Sequence, residues 1–111
     1  MVGKIKVIFK HDVTQFLSDL TQTLYKKNYF SYLESVYEYV DFIYDEIETT
    51  IHLKKHYLSP EKLSVYGKYY IYIKTTKRTA WYVFFDKKDN RYIVRYITNN
   101  HVSDAAFLKD L

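Results

Sequence analysis

The 111 residues suffice for one domain, 1–111, whose core needs neither a metal nor a disulfide, and the lack of cysteine excludes thiolate and disulfide chemistry. The net charge of +4 sits in the second half: residues 61–111 hold 10 Lys and Arg against 5 Asp and Glu, whereas residues 1–60 hold 7 against 8. That split points to an anionic partner, at a charge density far below that of a protein that coats DNA.

The chain opens with MVGKIKVIFKHDV, which has neither a long apolar run nor a small-residue cleavage site. Nothing in the sequence approaches the roughly 20 apolar residues of a membrane span, so the expectation is a cytoplasmic protein with no membrane partner. Within this opening, KIKVIFK (Lys4 to Lys10) alternates. Ile5, Val7 and Phe9 share one side, and Lys4, Lys6 and Lys10 share the other with Ile8, as in a half-buried strand whose lysines suit a sheet edge. Asp12 with Gln15 has the spacing of a capping box, and Val13, Phe16, Leu17, Leu20 and Leu24 repeat at helical intervals. This helix is expected to end at Lys26 to Asn28.

Ser31 and Glu34 offer a second capping box. Leu33, Val36, Val40, Ile43, Ile47 and Ile51 then form the apolar stripe of a long helix, with Glu34, Glu38, Asp41, Asp45 and Glu48 on another face. An acidic stripe without interleaved histidines reads as a solvated face, not as a metal site, so no metal or other cofactor is expected. His52 and His56 read as a basic helix terminus. Residues 53–68 carry the sole Pro and the second Gly, and read as an irregular connection.

Three β-rich runs follow, YYIYIKT (69–75), RTAWYVFF (78–85) and RYIVRYIT (91–98), with joins short enough for hairpins. Ala106, Phe107 and Leu111 fit a short terminal helix. The predicted fold is α+β: a strand, a helical hairpin, then an antiparallel three-stranded meander with the helices packed on one face. Strand order leaves no local signal.

Strict alternation sorts the side chains. Arg91, Ile93, Arg95, Ile97 and Asn99 share one face of the last strand, against Tyr92, Val94, Tyr96 and Thr98. Arg78, Ala80, Tyr82 and Phe84 oppose Thr79, Trp81, Val83 and Phe85, and Tyr70, Tyr72 and Lys74 oppose Tyr69, Ile71 and Ile73. The chain is 20% aromatic, with 14 Tyr, most of them expected in the core and at its rim. One sheet face thus keeps rings beside cations. RNA-binding sheets use that mixture, and so do solvent-facing sheets with cross-strand aromatic pairs, which is the more ordinary reading of the pattern. His101, of the one residue type whose ordinary pKa lies near neutral pH, follows the last strand in the turn Asn99, Asn100, His101. Beside convergent arginines it becomes a candidate acid or base for phosphodiester cleavage; alone it is a turn residue. No Gly-rich phosphate loop, Cys/His metal cluster or serine nucleophile motif is present.

The element order, and the run GKYYIYIKTTKRTAWYVFFDKKDNRYIVRYITNNHVSDAAF, resemble RelE/ParE-type toxins of bacterial toxin–antitoxin modules, with residue-level similarity confined to the second half. The resemblance implies a metal-independent endonuclease (an mRNA interferase) acting on mRNA at the ribosome. Arg78 would contact the scissile phosphate and His101 would move a proton. Lys74, Asn99 and Asn100 would bind RNA, to which the pattern of rings beside cations adds Arg91, Arg95 and Tyr82. A terminal catalytic aromatic of the family falls on Phe107, which lacks a hydroxyl. The resemblance equally implies a cognate antitoxin, whose acidic, partly disordered segment would cover the basic sheet, a surface that could instead serve homodimerisation. The alternatives are a DNA gyrase inhibitor of the same fold and a non-enzymatic interaction domain.

Overall fold

The computed structural model describes residues 4–26, 33–75, 77 and 79–99. Their order is β1 (Lys6–Phe9), α1 (His11–Lys26), α2 (Leu33–Thr50), β2 (Tyr57–Leu58), a 3₁₀ helix η1 (Glu61–Tyr66), β3 (Tyr69–Lys74), β4 (Ala80–Lys88) and β5 (Arg91–Asn99). The α+β class expected from the sequence is the one observed, on a five-stranded sheet ordered β1-β5-β4-β3-β2. The meander β3-β4-β5 is antiparallel, as the short joins imply. β1 lies at the edge and runs parallel to β5, Lys6 opposite Arg91 and Phe9 opposite Val94. A parallel pair needs a crossover, which the two helices supply.

The helical periodicity is realised. Val13 and Leu17 of α1, and Val36, Val40, Ile43 and Ile47 of α2 with Ile51 just beyond it, are buried. All of them but Val36 share one core with Ile71, Ile73, Trp81, Val83, Phe85, Tyr92, Val94 and Ile97 of the sheet. Phe16 sits at the margin, 37% exposed, its ring edge-on to Trp81 at 6.1 Å. Glu38, Asp41, Asp45 and Glu48 are exposed, and no metal-holding cluster exists among the described residues. Ser31, Asn28, the terminal-helix residues Ala106, Phe107 and Leu111, and the side chains of Leu24, Leu33 and Glu34 lie outside the described residues.

Five local expectations are corrected. The first capping box does not form: α1 begins at His11, Asp12 lies inside the first turn, and Gln15 Nε2 donates to Asp19 at 2.9 Å instead of reaching back. The Lys10 carbonyl accepts from Val13 and Thr14 and starts the helix. Residues 53–68 are not structureless. They hold β2, which pairs with β3 (Tyr57 opposite Tyr70), and η1, which tucks Leu63 onto the second sheet face. β4 continues to Lys88, so the β4–β5 join shrinks to Asp89 and Asn90, with Asp89 at φ 56°, a left-handed position that Asp tolerates.

The fourth correction concerns the last strand. Phe84 pairs with Tyr96 but Phe85 pairs with Val94, so Arg95 is an extra residue, a β-bulge. Alternation resets there. Tyr92 and Val94 face the helices before the bulge, Ile97 faces them after it, and Tyr96 packs on the opposite side. The single face proposed for Arg91, Ile93, Arg95, Ile97 and Asn99 therefore does not exist. The bulge is anchored by Asp86, whose carboxylate accepts from Arg95 Nη1 at 2.9 Å and from the Lys68 amide at 2.9 Å. It ties the entry of β3 and the kink of β5 to β4.

Finally, Tyr82, expected to bind RNA, is buried, as is Tyr70. They form a second core with Leu63, Ala80 and Phe84, against which Tyr57, Tyr66, Tyr72 and Tyr96 pack. Gly67, between η1 and β3, is at φ 151°, and a Cβ there would lie 2.7 Å from the Phe85 amide nitrogen. Only glycine accommodates both that φ and that approach. No described helix is long and apolar enough to cross a membrane.

Candidate nucleic-acid interface

The sheet face away from α1 and α2 is built of rings. Cross-strand partners bring Tyr57 onto Tyr70 (stacked, 5.3 Å), Tyr70 onto Phe84 (5.4 Å) and Tyr72 onto Tyr82 (6.4 Å). Tyr66 of η1 stacks on Tyr96 at 3.9 Å, covering the β5 end of the face. This is the cross-strand aromatic packing of the ordinary reading. Among the described residues no buried side-chain nitrogen or oxygen lacks a partner. Burial, and then the neighbouring phenols, push the Tyr70 hydroxyl up to about 12, and burial followed by Tyr72 raises Tyr82. Both remain neutral donors in ordinary solution.

The ring surface that solvent reaches belongs to half-buried Tyr57 and Tyr72 on the β2 side and to Tyr66 and Tyr96 on the β5 side. On the β2 side, Lys54, Lys55, Tyr57 and Tyr72 line a shallow notch of about 220 Å³. Lys55 Nζ stands 5.0 Å over the Tyr57 ring, a cation–π contact. Exposed Lys74 lies two residues beyond Tyr72 on β3, on the same face by alternation. On the β5 side, Asp12, Val13, Phe16, Tyr66, Arg95, Tyr96 and Ile97 line a more apolar groove of about 310 Å³.

The residues proposed from the sequence fare unequally. Lys74 is exposed at one end of the sheet, where it pairs with Ala80. Asn99 reaches the same end, but its partner is Trp81, which puts it on the helix-covered side. Tyr82 is 7% exposed and serves the second core instead of offering a stacking surface. Arg95 is committed to Asp86. Arg91, opposite Lys88, is exposed at the far end of β5, about 25 Å from Asn99 at the usual rise per residue. Arg78, Asn100 and His101 lie outside the described residues. Their described neighbours Thr79 and Asn99 flank the same end of the sheet, because Thr79 closes the β3–β4 turn onto Thr75 (3.0 Å) next to the pair Trp81–Asn99.

Lys54, Lys55 and Tyr57 were missed. They fall in the stretch read as an irregular connection, and a strand of two residues has no periodicity to detect. The signal available was the pair Lys54-Lys55 two residues before Tyr57, ahead of the only Pro. His56, read as part of a basic helix terminus, is structural: its Nε2 lies 2.7 Å from the Ile51 carbonyl, and its ring sits among Tyr69, Phe85 and Tyr92 at 5.0–6.1 Å. It meets a helix-end carbonyl while filling a gap between helix and sheet. Comparison with protein-family models, curated proteins and solved structures finds no match to this chain.

Proposed function

We propose that the chain is the toxin of a toxin–antitoxin module, of the RelE/ParE type, and that it cleaves mRNA on the ribosome. The observation that carries this reading is the arrangement of the sheet. A parallel first strand and a helical pair leave one face free of α-helix, and the β3–β4 turn and the end of β5 meet at one end of that face, beside Lys74. The turn contains position 78, and β5 leads to positions 100 and 101.

The chemistry needs no metal. The RNA 2′-oxygen attacks the adjacent phosphorus, the bond from phosphorus to the 5′-oxygen breaks, and a 2′,3′-cyclic phosphate and a 5′-hydroxyl result. The 2′-hydroxyl proton goes to a base, and His101 gives a proton to the leaving 5′-oxygen. Arg78 offsets charge on the phosphoryl oxygens. The partner that controls it is an antitoxin whose acidic segment covers the basic rim.

Inducible expression in a growing bacterium tests the reading. Wild type is expected to arrest growth and cut mRNA, Arg78→Ala to do neither, and His101→Ala to lower cleavage by about 10²–10⁴-fold. Growth arrest with intact mRNA and a DNA-damage response would instead identify a gyrase inhibitor. No arrest and no cutting would leave an interaction domain.

A further inference from the structure

The notch between the end of α2 and the β2 edge contains cations and no carboxylate: its walls are Lys54, Lys55, Tyr57 and Tyr72. Among the described residues neither lysine forms an ion pair, whereas Arg95 is neutralised by Asp86. The floor is preorganised. Lys55 Nζ stands over the Tyr57 ring, which is stacked with Tyr70, and Tyr72 packs against Tyr57 at 6.0 Å and against Tyr82. Two lysine side chains and two phenol hydroxyls all offer hydrogen-bond donors, and they suit a compact oxyanion. The opening is shallow, and the rings around it are packed on one another, so a phosphate fits better than a base intercalated between rings.

We propose that this notch is a phosphate subsite that holds the backbone of single-stranded RNA as the strand runs along β3 past Lys74 toward the β3–β4 turn. This rests on the reading of the sheet face as an RNA-acting surface. It adds a grip at the β2 edge, one that acts on affinity and leaves proton transfer to His101 and charge stabilisation to Arg78. Duplex ends and bases are not read here, so binding is indifferent to sequence.

The test is fluorescence anisotropy of a labelled oligouridylate with the full chain, over a series of salt concentrations. The double variant Lys54→Gln/Lys55→Gln removes the charges on side chains that are not buried, so the fold is kept; thermal melting checks this. Expected are an affinity loss of about tenfold at low salt and a shallower salt dependence, the slope falling by about 1.4 for two lost phosphate contacts at roughly 0.7 each on single strands. Tyr72→Phe, which keeps the ring and deletes the hydroxyl, is expected to weaken binding by about two- to threefold without changing the slope. Unchanged RNA affinity and slope in the double variant would overturn the proposal, as would competition by poly-glutamate as effective as by RNA of equal charge. Growth arrest with an unaffected oligonucleotide affinity would sink the subsite alone. Loss of binding in the double variant of a chain that cuts nothing would support the subsite and reject the nuclease.

Discussion

The two faces of one sheet are closed by different chemistry. Toward α1 and α2 the seal is mostly aliphatic: Val13, Leu17, Ile43, Ile47, Ile71, Ile73 and Val83 interdigitate, almost wholly out of water. Toward η1 the seal is aromatic, Phe84 and the tyrosines lying ring on ring under a cover of only six residues. An aliphatic side chain has no reason to reach solvent, so the first face can be covered completely. A phenol wants its body dry and its oxygen wet, so the second face packs its rings and still shows water a row of hydroxyls and cations. That difference explains how a sheet face with a cover of six residues can still pack its rings out of water.

The comparison can be broken most directly by deleting one large side chain from each face. Ile47→Ala is expected to cost about 2–5 kcal/mol and Phe84→Ala about 3–5 kcal/mol, both read from urea unfolding. If Phe84→Ala costs under about 1 kcal/mol, the aromatic face is a decorated surface and not a second core. Gly67→Ala probes the entry from the thin cover into the sheet. With a Cβ 2.7 Å from the Phe85 nitrogen and φ at 151°, it is expected to cost about 2–4 kcal/mol, and to loosen the η1 side more than the helix side in amide hydrogen exchange. The finest distinction is in alkali. Tyr70 is raised to about 12 from an ordinary 10, chiefly by burial, and Tyr82 is raised as well. The unfolded chain loses these protons first, so the stabilisation is complete below pH 10 and falls as pH rises through the folded values. Ultraviolet titration should show a late tyrosinate population, and Tyr70→Phe should remove part of it and flatten the stability loss between pH 10 and 12. A single transition near the ordinary tyrosine value would contradict the buried phenol packing.

Much of the helix-facing side was legible, because periodicity of three and four residues in α2 and of two in β3 and β4 encodes which side is dry. The aromatic side was harder to read. Tyr70 and Tyr82 fall on the correct face by alternation, yet alternation does not reveal that η1 lies across that face. The bulge at Arg95 was invisible because its cause is remote: Asp86, nine residues earlier, is the carboxylate that holds it. The candidate site was partly legible for a related reason. Lys74 is local to its strand, but the notch exists only where residues 54–57 meet Tyr72, and no spacing within one segment records such a meeting. The network of Trp81 Nε1–H to Tyr39 Oη, itself 2.8 Å from Thr75 Oγ1, is equally nonlocal.

The parallel pairing of β1 with β5 has a consequence for the chain as it is made. Lys6 finds its partner in Arg91, and Phe9 in Val94, so β1 must wait through synthesis of both helices and the other strands before its ladder closes. Contacts this distant in sequence slow folding, and an unpaired apolar strand invites the wrong neighbour. During that wait Ile5, Val7 and Phe9 are interleaved with Lys4, Lys6 and, just beyond, Lys10. The same lysines that mark a sheet edge in the finished molecule thus act earlier as gatekeepers, keeping nascent chains from pairing with one another until β5 emerges.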